Sequence, residues 1–353
     1  MSEEIISIVK EKKVRKRIKK YSIIDALKLV SPGTVLRTAI DDILRAGMGA
    51  LIVVDSPTIK NIIEGGFKVN TKLTYQRVVE LAKMDGAIVL SPDLKKIMYA
   101  NVVLFPDVGI PTNETGTRHK AAERTAKHAG TLAIAISEKR KKISLYHGNL
   151  RYILKNTEEL LSRATETLQI LEKQREILNE LLSNLNVLEI SGLVVVGDVC
   201  SVLQRMEIMM RTSKTIERYL IELGKEGLII KMRLRELLKN VDKEKKLILN
   251  DYNAKQGALD EFNFDDLLDA ENIAQLLFSL PSEDRVHAKG SRILNKMNLD
   301  KKLISRIIDN FPNLDNILGT DIDGLKRVLG SETENFQKEV SSLKEQIMMA
   351  KKI

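Results

Sequence analysis

Tryptophan is absent from this chain, and aromatic residues make up only 4% of its 353 residues. Cores must then be built from Leu, Ile, Val and Met. Stacking of bases on aromatic platforms is excluded as the main mode of any nucleic-acid binding. A single cysteine, Cys200, rules out an internal disulfide and any cysteine-based zinc site. It sits in the apolar stretch "VVVGDVCSVL", which reads as a buried structural thiol and not a nucleophile. Such usage fits a reducing cytoplasm. No apolar run reaches the roughly 18–20 residues that a membrane span needs. The N-terminal tract "EKKVRKRIKKYS" is basic where a signal peptide would be apolar. A cytoplasmic protein with no membrane partner is expected. The four histidines, His119, His128, His147 and His287, show no zinc spacing. Neither the P-loop glycine–lysine signature nor a G-x-G-x-x-G fingerprint is present.

Charge is plentiful but uneven. The chain carries a net +9. Residues 1–20 hold eight Lys/Arg against three Glu, a net +5. Residues 250–284 hold one Lys against nine Asp/Glu, a net −8. Residues 285–353 hold thirteen Lys/Arg against nine Asp/Glu, a net +4. Basic ends are the electrostatic footprint of a polyanion partner, and equally of a solubilising tail.

Patterning divides the chain further. Over residues 22–150, amphipathic helical stretches ("SPGTVLRTAIDDILRAG", "TYQRVVELAKMDG") alternate with short β-rich runs. The runs are "ALIVVD", "GAIVLS", "IMYANVVLF", "TLAIAIS" and "KISLYH", the last two close enough to form a hairpin. An α+β domain with a mixed sheet and helices packed on it is expected. From Arg151 to about Asn250 no strand is expected. A helix of about nine turns starts at Thr157, and "ELGKEG" breaks two later helices. The expected organisation is a basic extension (1–21), the α+β domain (22–150), an all-α spine (151–249), an acidic linker with a short helix (250–284) and a small all-α region (285–353).

One stretch violates helix electrostatics. "TGTRHKAAERTAKHAG" ends on Gly130 as a helix should, with Thr117 placed as its N-cap. Its first turn is then Arg118, His119 and Lys120. A helix N-terminus already carries about half a positive charge, so basic side chains there cost about 0.3–1 kcal/mol each. The arrangement turns favourable around an anion. Free N–H groups, helix dipole and cations then act on one phosphate, Gly116 lets the backbone approach, and Arg118 offers a fork. The alternative is that the cations point outward and the penalty is tolerated. In "KMDGAIVLS", Asp85 with Gly86 and Ala87 opens a strand, so the carboxylate either binds Mg²⁺ or Mn²⁺ near phosphates or belongs to a plain turn. In "AISEKRKK", Ser137 and Arg140 lie at a strand end, a ligand position in open sheets and also an ordinary solvated turn.

Taken together, "KMDGAIVLS", "ETGTRHKAAER" about thirty residues later, and "AISEKR" resemble the diadenylate cyclase (DAC) domain family. "SPGTVLRTAIDDILRAGMGALIVV", "GGFKVNT" and "ANVVLFPD" fall in the matching order, so the likeness covers roughly residues 20–150. The later segments look like the multidomain bacterial branch of that family, in which a helical spine and a helix-hairpin-helix DNA-binding domain follow the cyclase. The resemblance implies condensation of two ATP into cyclic di-AMP with release of two pyrophosphates, with Mg²⁺ or Mn²⁺ as cofactor. It implies a homo-octamer whose active sites meet face to face, and DNA, branched DNA included, as a further partner. Carried over by motif, Asp85 would bind metal and help activate the 3′-hydroxyl. Gly86, Ala87 and Leu104 would line the nucleotide pocket. Thr117, Arg118, His119, Lys120, Ala121, Ser137 and Arg140 would complete the ATP site. Lys120 and Ala121 stand where the family has Arg and Thr, and Ser331 and Glu332 follow Gly330 where a second hairpin glycine is usual. These departures motivate an alternative, a DNA-binding scaffold that holds nucleotide without turning it over.

Overall fold

The computed structural model describes residues 23–350, and the basic extension expected at 1–21 lies outside them. The residues divide into two compact units. One takes the chain through Ala164 together with Arg218–Ile229, and the other takes Thr165–Glu217 and everything from Ile230 onward.

The first unit is built on an eight-stranded sheet: β1 (Ala50–Val54), β2 (Ile63–Glu64), β3 (Phe67–Lys72), β4 (Ala87–Leu90), β5 (Lys96–Leu104), β6 (Leu132–Ser137), β7 (Lys142–His147) and β8 (Leu150–Ile153). Its order is β2-β5-β4-β1-β6-β7-β8, with β3 also paired to β5. The β1–β4 pair is parallel, while β1–β6, β4–β5, β6–β7 and β7–β8 are antiparallel, which makes the sheet mixed. β6 and β7 form the expected hairpin, with Ser137 opposite Lys142. Strand β8 corrects the expectation of no strand beyond Arg151.

Both faces of the sheet are covered, so its central strands are apolar throughout and not alternating. Ala50, Ile52 and Val54 of β1 point to a core shared with Ile88, Leu90, Ile134 and Ile136. That core is closed by α1 (Ile23–Leu29), α2 (Val35–Arg45) and α3 (Tyr75–Leu81). Leu51 and Val53 point to the opposite face. There α4 (Thr117–Ala129) lays Ala122, Ala126 and Ala129 against Ala133 and Ala135 of β6. Alanine on alanine brings the helix axis close to the strands, which fixes where its N-terminus falls. α4 stops at Gly130, in the left-handed conformation at φ +58°.

Beyond β8 the described elements are helices, joined by loops and by one isolated bridge between Val195 and Arg285: α5 (Thr157–Ser191), α6 (Val196–Leu223), α7 (Leu228–Leu237), α8 (Val241–Asp251), α9 (Ala270–Phe278), α10 (Ser291–Leu294), α11 (Lys301–Asn310), α12 (Leu314–Gly319), α13 (Ile322–Leu329) and α14 (Thr333–Ala350). α5 begins at Thr157 as expected, and its 35 residues span about 52 Å at 1.5 Å per residue. In the second unit, Arg292 of α10 is wholly buried. Its Nη2 donates to Glu189 at 2.5 Å, and its Nη1 donates to Asn186 at 2.8 Å and Glu244 at 3.1 Å. The backbone N–H groups of Ser291 and Arg292 donate to the Asp251 carboxylate at 2.9 and 2.7 Å. Also in this unit, the buried Glu207 accepts from Lys245 at 2.6 Å and from Arg211 at 2.8 Å. No helix among the described residues is long and apolar enough to cross a membrane.

Candidate nucleotide site

A cleft of about 700 Å³ opens where β1 and β4 begin and β5 and β6 end. Gly86, Ala87, Leu104, Thr117, Arg118, His119, Ala121, Ser137 and Arg140 all line it. Asp85 is exposed one residue before Gly86 and is not itself in the lining. Lys120 is exposed and also lies outside the lining.

The start of α4 differs from expectation by one residue. Gly116 is the N-cap, at φ −89° and ψ 144°, and Thr117 is already helical. Gly116 has no side chain to close the helix start, so the orphan N–H groups of the first turn face the cleft side without a capping oxygen from it. The first turn carries no acidic residue.

Two flanks of the cleft depend on a missing β-carbon. Gly86 sits at φ +91°, and a Cβ there would lie 2.8 Å from the Val102 carbonyl oxygen. Only glycine satisfies both the left-handed backbone and the approach to β5. Arg118 reaches back over the sheet, its Nη1 donating to the Ile136 carbonyl at 3.5 Å. Its guanidinium fills the space that a side chain at Gly49 would take. On the third side, the Arg140 backbone N–H donates to Ser137 Oγ at 3.2 Å, and its Nη2 donates to Thr115 Oγ1 at 3.5 Å. The β6–β7 turn is thereby joined to the loop before α4.

Behind the helix start lies a polar cluster that the motifs did not reveal. The Glu114 carboxylate is buried at 8% exposure. It accepts from Tyr146 Oη at 2.8 Å and pairs with Arg151 Nε at 2.6 Å. Burial, then the bond to Glu114, pushes the Tyr146 phenol above its usual range, so it acts as a donor. His119 stands edge-on to the Tyr146 ring at 6.4 Å. Burial holds the His119 imidazole below its ordinary pKa, Glu114 opposes that, and the charges of Arg118, Arg140 and Arg151 reinforce it. Gly49, Tyr146 and Arg151 left no signal in local sequence, because each acts on a residue at least 27 positions away. Glu114 did leave one, as the lone acid at the head of a basic stretch.

A cation-rich helix start facing a Gly-Ala strand entry, on a mixed sheet covered on both faces, defines a nucleotide-binding α+β domain. Residues 37–150 match the family model described as "DisA bacterial checkpoint controller nucleotide-binding". Residues 154–284 match the "DisA bacterial checkpoint controller linker region". DNA integrity scanning protein DisA of Acetivibrio thermocellus is 43% identical over 328 residues, 89% of this chain and 91% of that protein. Its counterpart in Clostridioides difficile is 41% identical over 318 residues, 86% of this chain and 89% of that protein. The chain belongs to the DNA integrity scanning protein family. A solved structure of DacA from Staphylococcus aureus is 22% identical and covers 37% of this chain and 91% of that chain, at a TM-score of 0.31.

Proposed function

We propose that this chain is a diadenylate cyclase that joins two ATP into cyclic di-AMP and releases two pyrophosphates. The observation that carries the reading is the convergence of three separate sequence stretches on one cleft. Thr117, Arg118 and His119 at the start of α4, with Ser137 and Arg140 across from them, form the phosphate side. Gly86, Ala87 and Leu104 form an apolar side for the base and sugar. In each half-reaction a 3′-oxygen forms a bond to an α-phosphorus and the bond from that phosphorus to the bridging β-phosphate oxygen breaks. Pyrophosphate carries the electrons away. Such chemistry rests on positioning and charge neutralisation. One cleft holds one ATP, so ring closure uses a second copy of the chain, its cleft facing the first across an isologous contact. A homo-octamer of such pairs is part of this proposal.

No cluster of three or more His, Cys, Asp or Glu side chains suited to a metal exists among the described residues. Mg²⁺ or Mn²⁺ would arrive with the nucleotide, because such ions are typically held by one or two carboxylates plus substrate phosphates. Asp85, exposed at the cleft edge, would be the protein ligand. When bound, the ion would neutralise charge on the phosphates. Asp85 would also receive the 3′-hydroxyl proton.

The test is turnover of ATP with Mn²⁺ by the intact protein, resolved by chromatography. Cyclic di-AMP is expected, and Asp85→Asn should lower its formation by about 10²-fold or more. Absence of product from intact protein at high ATP sinks the reading. Nucleotide bound without product would instead favour the non-cyclising scaffold, which the family-atypical Ala121 in the cleft lining supports.

DNA is proposed as a second partner, on the relatives' name and on the net +4 of residues 285–353. Gly330, at φ +59°, joins α13 to α14 in that region, with Glu332 and Glu334 close behind. Binding through phosphates should weaken steeply between about 50 and 200 mM salt. Branched and plain duplex DNA should be compared in the same titration.

A further inference from the structure

The Glu114 cluster is not explained by phosphate binding. Glu114 is itself in the cleft lining, and a buried carboxylate there repels a polyphosphate ligand and costs free energy to desolvate. Its partners come from two strands outside the motif stretches, Tyr146 on β7 and Arg151 on β8. Its own backbone N–H donates to Thr112 Oγ1 at 3.2 Å, and that hydroxyl donates to Glu123 of α4 at 2.5 Å. Glu114 is thus fastened to the sheet by its side chain and to α4 through Thr112, two residues before the N-cap Gly116.

The second observation is what surrounds His119. The Tyr146 ring stands edge-on to it at 6.4 Å while its hydroxyl donates to Glu114 at 2.8 Å, Arg151 pairs with that same carboxylate at 2.6 Å, Arg140 donates to Thr115 at 3.5 Å just before the helix, and Arg118 precedes it in the chain. Three guanidinium groups and partial burial all act against a proton on the imidazole. Glu114 is the carboxylate that acts for it.

We propose that Glu114 is a positioning residue for the phosphate subsite: held by Tyr146 and Arg151, it fixes the entry into α4 and keeps His119 able to take up a proton when nucleotide arrives. The inference rests on the nucleotide reading of the cleft. Neutral, the imidazole lets the free site exist beside three cations. Protonated, it adds a charged donor to the phosphates. Arg151 then has a role apart from the ligand. It holds the Glu114 carboxylate in place through their 2.6 Å ion pair.

Sign distinguishes this from a merely structural role. Binding of 3′-deoxy-ATP, which lacks the attacking hydroxyl, is measured by calorimetry across acidic to mildly alkaline pH. Wild type should bind more tightly as pH falls through the protonation of His119. Glu114→Gln keeps an acceptor for Tyr146 but loses the charge, and should move that limb to lower pH. Arg151→Gln removes an opposing cation and should move it to higher pH, even while overall affinity drops. His119→Gln should abolish the limb, leaving only the titration of the nucleotide, which is common to all variants. Glu114→Gln and Arg151→Gln profiles that superimpose on wild type, or shift in the same direction, overturn the inference while the nucleotide reading stands. No binding by intact protein at any pH overturns both.

Discussion

A β-carbon added to Gly49 would lie 1.9 Å from Nη1 of Arg118 and 2.8 Å from its Cζ. The two residues are 69 positions apart, yet one exists in its observed place because the other has no side chain. Gly49 immediately precedes β1, so the guanidinium rests on the lip of the sheet beside the cleft.

Gly49→Ala should therefore act as a mutation of Arg118. The clashing atoms are the far end of a flexible side chain, so the fold can keep its backbone while the guanidinium swings away. Losing one charged hydrogen-bonding group to phosphate costs about 1.5–3 kcal/mol. Affinity for ATP should fall by about 10–100-fold, with little change in Tm. Paired calorimetry and thermal melts check this, and an unaltered affinity would show that Arg118 does not work from this position.

Lys120→Arg restores the residue usual in the DAC family, but Lys120 lies outside the cleft lining. We expect kcat/KM for ATP to stay within about twofold, since arginine keeps the positive charge of an exposed side chain outside the lining. Ala121→Thr should have the larger effect, since Ala121 is in the lining and packs near the α4–sheet core. Steady-state kinetics on both variants separates the two departures from the family pattern.

Glu207 gives the pH dependence of stability a sign. Burial alone would raise its pKa, but the hydrogen bonds and charges of Lys245 and Arg211 outweigh that and hold it below the usual carboxylate range. A depressed folded-state pKa means stability that is fully present above the unfolded value, about 4.3. It is lost as pH falls through the folded value. Glu207→Gln should be destabilised by about 3–5 kcal/mol at neutral pH, because two cations lose their buried partner. The gap to wild type should close in acid. Urea denaturation at neutral and acidic pH measures both, and a gap that widens in acid contradicts the sign.

Arg292→Leu should cost about 3–5 kcal/mol, because Glu189 is left buried and charged with its main partner gone. Adding Glu189→Leu should recover much of the loss. If the double variant is no better than the single, the pair is not the source of the destabilisation.

Legibility in the sequence followed the range of each interaction. Strands β1, β4 and β6 are runs of Val, Ile, Leu and Ala, so burial on both faces writes them plainly, while β5 and β7 mix polar residues into enough apolar ones to be read. β3, "FKVNTK", is mostly exposed and mostly polar, and β8, "LRYI", is only four residues long, so neither stood out. The helix start of α4 was readable because its charges contradict its dipole within one turn. Its cap was misplaced by one residue, since Thr117 and Gly116 are both acceptable caps by type. Gly49, Tyr146 and Arg151 were invisible, as their meaning lies in partners that only the folded sheet brings near.

Arg292 carries a lesson for anyone who would cut or transplant this chain. A break before residue 285 looks clean by composition, since acidic residues give way to basic ones there. Yet the first helix beyond it is addressed by Asn186, Glu189, Glu244 and Asp251, all upstream. Excision would take from Glu189 and Asp251 the donors that Ser291 and Arg292 supply, and a graft onto another scaffold would arrive without its counter-charges. The portable piece includes those four residues together with the tail they hold, so inheritance of the C-terminal helices and of the α5–α8 segment is coupled.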